Sequence, residues 1–213
     1  MTLRETGQPR GTAELAGVLL HGRGKTPHEK IDLALRLDAP GFRWVVPEAP
    51  GGSWYPKRFM EPVESNQPWL SEALVSTEAA LREASEDGRI GPERLAIVGF
   101  SQGACLATEY ILQHGMCCGA VVIFTGAIIG VRAEHWRRHG PRLDGLRALV
   151  TGSDIDDWVD DAHVRETADV LASLGAEVRL RIYEGRPHIV SPEELLEAQT
   201  MLQEMREDMS ANY

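Results

Sequence analysis

The sequence predicts an α/β fold with a mostly parallel central sheet and helices on both faces. Three observations predict it. Short apolar runs alternate with amphipathic segments along the whole chain, the order expected of repeated βα units. The apolar runs are nearly continuous rather than alternating, as strands are when both sheet faces are covered. Finally, 213 residues suffice for one well-filled core and are too few for two comfortable domains. A single domain over residues 1–213 is expected, with residues 1–13 as an N-terminal extension.

The elements follow in order. Leu15–Leu20 is the first predicted strand, and Thr26-Pro27 opens a helix over His28–Leu37, where the first turn tolerates proline. Arg43–Val46 is the second strand. The segment Pro47–Pro68 interleaves five prolines and two glycines with Trp54, Tyr55 and Phe59. It should hold little regular structure, and a loop of that length in a compact domain points to function. Leu70, Leu74 and Leu81 then recur near helical spacing within Gln67–Glu86. The strand Leu95–Val98 leads into a helix over Gln102–His114 that stops at Gly115, and Ala120–Phe124 is the next strand.

Ile128–Asp144, with His135, Trp136 and His139 among arginines, reads as a second irregular segment at the surface. After the strand Leu146–Thr151, Val164, Ala168, Leu171 and Leu174 share one face of a helix over Asp161–Leu174, ended by Gly175. The last strand is Glu177–Tyr183. Ser191-Pro192-Glu193-Glu194 opens the last helix, to Met205, with an N-cap serine, a proline in the first turn and a capping-box glutamate.

Charge narrows the partners. A formal net charge of −10 disfavours a phosphate backbone or an anionic leaflet, which need clustered lysine and arginine. Nucleic acid is not an expected partner. Cys105, Cys117 and Cys118 are odd in number and partly adjacent, which suits small buried side chains in a reducing compartment better than a disulfide framework. The first 17 residues hold Arg4, Glu5, Arg10 and Glu14 and no long apolar run, unlike a secretory signal. The longest apolar stretch, Gly119 to Gly130, falls short of the ~20 residues that span a bilayer. A cytoplasmic protein without stable membrane insertion is expected.

The strongest local signal is Gly99-Phe100-Ser101-Gln102-Gly103, directly after an apolar strand and directly before a helix. Gly-x-Ser-x-Gly in that context is a nucleophile elbow. The turn is sharp, the glycines let neighbouring backbone approach, and the serine hydroxyl is lifted above the sheet. The helix that follows points its N-terminus at the reaction site, where it favours negative charge.

A serine hydroxyl needs a base, and the base needs an orienting acid. His188, in Gly185-Arg186-Pro187-His188 past the last strand, falls on the same sheet edge as the elbow. His163, in the first turn of a helix, reads as a solvated residue. After the strand ending at Thr151, Asp154, Asp156 and Asp157 all follow, and spacing does not choose between Asp154 and Asp156. Two amides should face the developing oxyanion: that of Gln102, after the serine, and that of Arg23, in the Gly-rich turn His21-Gly22-Arg23-Gly24. The Arg23 side chain is a candidate for orienting an acidic substrate group. His21 and Gly22 read as turn-shaping residues.

These motifs resemble the phospholipase/carboxylesterase family of α/β-hydrolases, which includes acyl-protein thioesterases and bacterial carboxylesterases. The resemblance rests on Leu20-His21-Gly22-Arg23-Gly24, Pro47-Glu48-Ala49-Pro50 with Trp54-Tyr55, Gly99-Phe100-Ser101-Gln102-Gly103, Asp156-Asp157-Trp158-Val159 and Tyr183 through His188. It runs in family order over roughly residues 14 to 200. It implies an α/β-hydrolase fold, a Ser101, Asp156, His188 triad, oxyanion amides at Arg23 and Gln102, and no metal or organic cofactor. It favours Asp156 over Asp154, although aspartates stand at Asp157 and Asp160 where the family pattern has prolines. The expected activity is cleavage of small to medium carboxylic esters, with Trp54 and Tyr55 in the substrate pocket. An acyl thioesterase or lysophospholipase is the alternative enzyme reading, and a catalytically silent binding module the non-enzymatic one. Monomer and homodimer both remain open.

Overall fold

The apolar runs assemble into one seven-stranded sheet. In a computed structural model that describes residues 2–25 and 27–211, the strands are β1 (Leu3–Gly7), β2 (Leu15–Leu20), β3 (Phe42–Pro47), β4 (Leu95–Phe100), β5 (Ala120–Phe124), β6 (Arg147–Ser153) and β7 (Glu177–Tyr183). Their order is β1-β3-β2-β4-β5-β6-β7. β1 runs antiparallel to β3, and every other pairing is parallel. The helices are α1 (Pro27–Leu37), α2 (Trp69–Ala84), α3 (Gln102–His114), α4 (Ala133–His139), α5 (Asp161–Ser173) and α6 (Pro192–Ala211). Thr26, expected to precede α1, lies outside the described residues.

Alternate residues of each strand point to opposite faces, and both faces are buried. On one side Leu15, Leu19, Val98 and Val122 meet Leu33 and Leu37 of α1 and Leu202 and Met205 of α6. On the other Val18, Ile97 and Ile123 meet Leu70 of α2, Leu106 and Ile111 of α3 and Leu171 of α5. Ser191 caps α6 as the capping-box pattern requires: its Oγ accepts from the Glu194 amide, and its own amide donates to Glu194 Oε2. The loops after β2, β4, β6 and β7 all open at the sheet's C-terminal edge, where ligands bind in open α/β sheets. Among the described residues no helix is long and apolar enough to cross a membrane.

Two elements differ from expectation. The N-terminal segment, expected as an extension, joins the sheet through β1. Leu-Arg-Glu-Thr-Gly has no apolar alternation to announce a strand; a buried charge holds it instead. The Arg43 guanidinium, 0% exposed, pairs with Glu5 of β1 at 2.9 Å and with Glu83 of α2 at 2.8 Å. The second irregular segment contains α4, which is too short for its period to register, and which buries Trp136 under the Arg132 guanidinium. The segment 47–68 is irregular as expected, broken only by two short 3-10 turns.

The carboxylate of Glu86, past the end of α2, accepts from Arg89 Nε at 2.7 Å and from the Gly11 amide at 2.9 Å. The Arg89 bond above all holds this carboxyl at about 2, below the ordinary value of 4.5, against the opposing effect of burial. A carboxyl lowered on folding contributes stability above its unfolded value and loses it as the pH falls toward the folded one. Glu86→Gln should therefore lower Tm at neutral pH. Melts followed by circular dichroism should show the gap from wild type closing as the pH falls from 4.5 to about 2.

Candidate active site

Ser101 occupies the turn between β4 and α3 with φ 55° and ψ −119°. A side-chain-bearing residue at positive φ is strained, so the surroundings must hold it there. The Ser101 amide donates to Phe124 O at 2.9 Å, at the end of β5. The flanking glycines admit backbone that no Cβ would allow. A Cβ on Gly99 would lie 2.5 Å from Gly103 O, and one on Gly103 would lie 2.1 Å from Leu20 O. Removing both side chains lets α3 start directly over the ends of β4 and β2.

The loop after β7 brings His188 to this turn. Its Nε2 lies 2.9 Å from Ser101 Oγ, and its Nδ1 lies 2.7 Å from Asp156 Oδ2. The second Asp156 oxygen accepts the Trp158 and Val159 amides at 2.9 and 3.0 Å, which fixes a carboxylate whose side chain is 0% exposed. Asp154 faces elsewhere: its Oδ1 accepts the Gly185 amide at 2.7 Å and staples the neighbouring turn. His163 is bound to the Asp160 cap of α5 rather than to the serine.

The turn after β2 sits beside the elbow. Gln102 opens α3, so its amide is one of the helix donors without an intrahelical acceptor. On either side of Arg23 the turn is held by one long-range and one local contact. The Gly24 amide donates to Gly52 O at 2.8 Å, and His21 Nδ1 contacts Gly22 O at 2.8 Å. The side chains of Arg23 and Gln102 have a further role that sequence reasoning missed. Arg23 donates to the carbonyls of Tyr55, Pro56 and Lys57. Gln102 Nε2 donates to Tyr55 O at 2.7 Å while its Oε1 accepts the Trp54 amide at 3.0 Å. The Arg23 guanidinium is therefore held by the carbonyls of the 55–57 loop at the edge of the site.

The model of the phospholipase/carboxylesterase family matches residues 4–206. The chain belongs to this family. A crystal structure of a phospholipase/carboxylesterase from Dyadobacter fermentans has a TM-score of 0.87 to it at 32% identity, covering 94% of this chain and 95% of that one. Esterase PE8 has a TM-score of 0.79 at 25% identity, over 95% and 97% of the two chains. A probable carboxylesterase of Oryza sativa subsp. japonica is 25% identical over 194 residues, 83% of this chain and 72% of that protein. The protein is thus an α/β-hydrolase of the esterase class.

Two cavities meet at the esterase's His188, and the larger also reaches Ser101. The larger, about 540 Å³, is walled by Tyr55, Phe59, Phe100, Trp158 and Val159. The smaller, about 360 Å³, lies toward α1 and shares Gly22, Lys25, Phe100 and His188 with the first. Tyr55 lines the larger cavity as expected, but Trp54 does not. Trp54 is buried, stacks near His21 with ring centres 4.7 Å apart, and donates from Nε1 to His21 O. Its flanking residues are tied down by the Gln102 side chain, which turns the indole under the loop. Phe59 and Trp158 could not be assigned to the pocket from the sequence, because loop residues have no periodicity to show which way they face, and Phe100 reaches it from the end of β4.

Behind His188 the esterase buries an ion pair. The Arg186 guanidinium donates to Pro187 O and Ile189 O, the carbonyls either side of His188, and to Thr125 Oγ1. Its Nε lies 3.3 Å from Glu194 Oε2, and Glu194 also accepts from Thr151. Burial pushes the Glu194 carboxyl above its usual range, opposed by these bonds. Arg186→Met removes the countercharge and both loop anchors. It should cost about 3 kcal/mol in urea unfolding, the usual penalty for orphaning a buried charge, and should lower kcat/KM as His188 loosens.

Proposed function

We propose that this esterase cleaves small to medium carboxylic esters by a two-step acyl transfer in which Ser101 is the nucleophile, His188 the general base and acid, and Asp156 the orienting acid. The observation that carries the reading is the continuous chain of short contacts from Asp156 through both His188 nitrogens to Ser101 Oγ. His188 Nε2 is aligned to take the hydroxyl proton as Oγ attacks the substrate carbonyl. The Arg23 and Gln102 amides hold the oxyanion, because their donors are fixed before charge develops and need no reorganisation. Protonated His188 then gives its proton to the leaving alcohol, and the acyl group remains on Ser101.

Water enters the vacated position and loses a proton to the same nitrogen. The water oxygen attacks the acyl carbonyl, His188 returns the proton to Ser101 Oγ as the acyl–Oγ bond breaks, and the acid leaves. Asp156 keeps a proton on Nδ1, so that Nε2 is the basic nitrogen throughout, and it stabilises the imidazolium. The Trp158 and Val159 amides hold this carboxylate in place when the ring carries charge. The apolar walls of the larger cavity suit an acyl chain, and about 540 Å³ suits a short one.

Ser101→Ala should remove turnover of p-nitrophenyl esters and labelling by a fluorophosphonate while leaving the circular-dichroism spectrum unchanged; surviving hydrolysis would sink the assignment. Asp156→Asn should lower kcat by about 10,000-fold through the wrong imidazole tautomer. Asp154→Asn, which touches only a turn, should change kcat by less than about tenfold. The reverse order would make Asp154 the acid.

A further inference from the structure

We infer that the natural substrate of this esterase carries an anionic group, a carboxylate or a phosphate, in addition to its scissile ester. The inference rests on the esterase reading above and goes beyond it to substrate class. The charged residues that line the larger cavity, His188 aside, are Arg23, Lys25, Lys57 and Arg58, and no aspartate or glutamate lines it among the described residues. This is a concentrated positive region in a chain of net charge −10 with three lysines, Lys25, Lys30 and Lys57. Two of the three line the cavity.

Three of the four cations at the cavity also differ from most of those elsewhere in how their charge is met. Arg4, Arg43, Arg147 and Arg179 each pair with a carboxylate. Among the described residues no carboxylate lies within ion-pair distance of Arg23, Lys57 or Arg58, whereas Lys25 pairs with Glu29 at 2.9 Å. Arg23 and Arg58 are held by backbone carbonyls instead, Arg58 by those of Asp157 and Trp158. Carbonyl bonds orient a guanidinium without cancelling its charge. The Arg58 guanidinium also lies 5.9 Å from the Trp158 ring centre, which keeps it at the cavity.

The walls between these cations and Ser101 are apolar: Tyr55, Phe59, Phe100, Trp158 and Val159. A ligand that matches both features has a short apolar stretch with the ester at one end and an anion at the other. Lys57 and Arg58 are exposed, at the open side of the cavity, so the anion keeps part of its hydration while it gains their attraction. An uncharged ester leaves these cations unmet; a cationic one is repelled.

The test compares kcat/KM for mono-p-nitrophenyl glutarate with that for p-nitrophenyl butyrate, and for a monobutyryl glycerol phosphate with that for monobutyryl glycerol. Wild type should prefer the charged member of at least one pair by about tenfold at low ionic strength, and the ratio should shrink as salt is added. A preference in the first pair assigns a carboxylate on the acyl side, and in the second a phosphate on the alcohol side. Lys57→Glu/Arg58→Glu should bring that ratio below one. Arg137→Glu/Arg138→Glu, an equal reversal of charge on α4, should leave it unchanged. Cleavage of the neutral esters with ratios at or below one, or ratios unmoved by the double variant, overturns the inference while the esterase reading stands. Failure to cleave any of the four refutes the esterase reading instead. In that case calorimetric titration of glutarate and glycerol phosphate decides: binding lost in the double variant supports the anion site, and no binding by wild type overturns it.

Discussion

The backbone of Ser101 sets the geometry around which the rest is arranged. Holding a residue with a Cβ at φ 55° costs about 1–3 kcal/mol, and that strain persists only where packing leaves no alternative. Here the packing comes from three directions. α3 presses on Gly99, the end of β2 presses on Gly103, and the end of β5 accepts the Ser101 amide. The same close approach sets the turn after β2 beside the first turn of α3. Strain at the serine and the juxtaposition of the two turns are therefore one constraint seen from two sides.

Around this fixed turn, polar side chains that do not react hold the loops that do. Tyr55 O accepts from Arg23, Gln102 and Ser53 at once, so the loop that walls the cavity is bound to the two residues whose amides are proposed to hold the oxyanion. Arg186 grips the carbonyls either side of His188 and is answered by Glu194 at the start of α6. Loops of this kind lack the ladder bonds of a sheet, and carbonyl-to-guanidinium bonds substitute for them. Arginine suits that work because its planar fork reaches several acceptors at once and keeps its charge.

Charge is distributed with the same economy. Elsewhere many of the cations meet carboxylates, while the cavity mouth keeps two arginines that bond to carbonyls and not to carboxylates. One arrangement gives both mechanical support for the loops and a positive field over the apolar walls. The Arg23 side chain belongs to this support.

Much of this was legible in the chain itself. The six core strands and five of the helices follow from local patterns, since periodicity and caps are properties of neighbouring residues. The elbow is legible for the same reason: strand, glycine, serine, glycine and helix lie within ten residues. His188 could be singled out by chain order, and Asp156 only by resemblance to a family, because three aspartates within four residues are equivalent until a turn points them. β1 was missed because a buried charge from β3 and α2 holds it, and α4 because seven residues are too few to show a period. Trp54 and Tyr55 are adjacent and alike in composition, yet one is folded under the loop and the other lines the cavity. Which of them faces the substrate depends on bonds from Gln102 and Arg23, residues 32 to 48 positions away. The proposed nucleophile at Ser101 is thus a local property of the sequence; its proposed acid, its pocket and the charge over it exist only once distant segments are brought together.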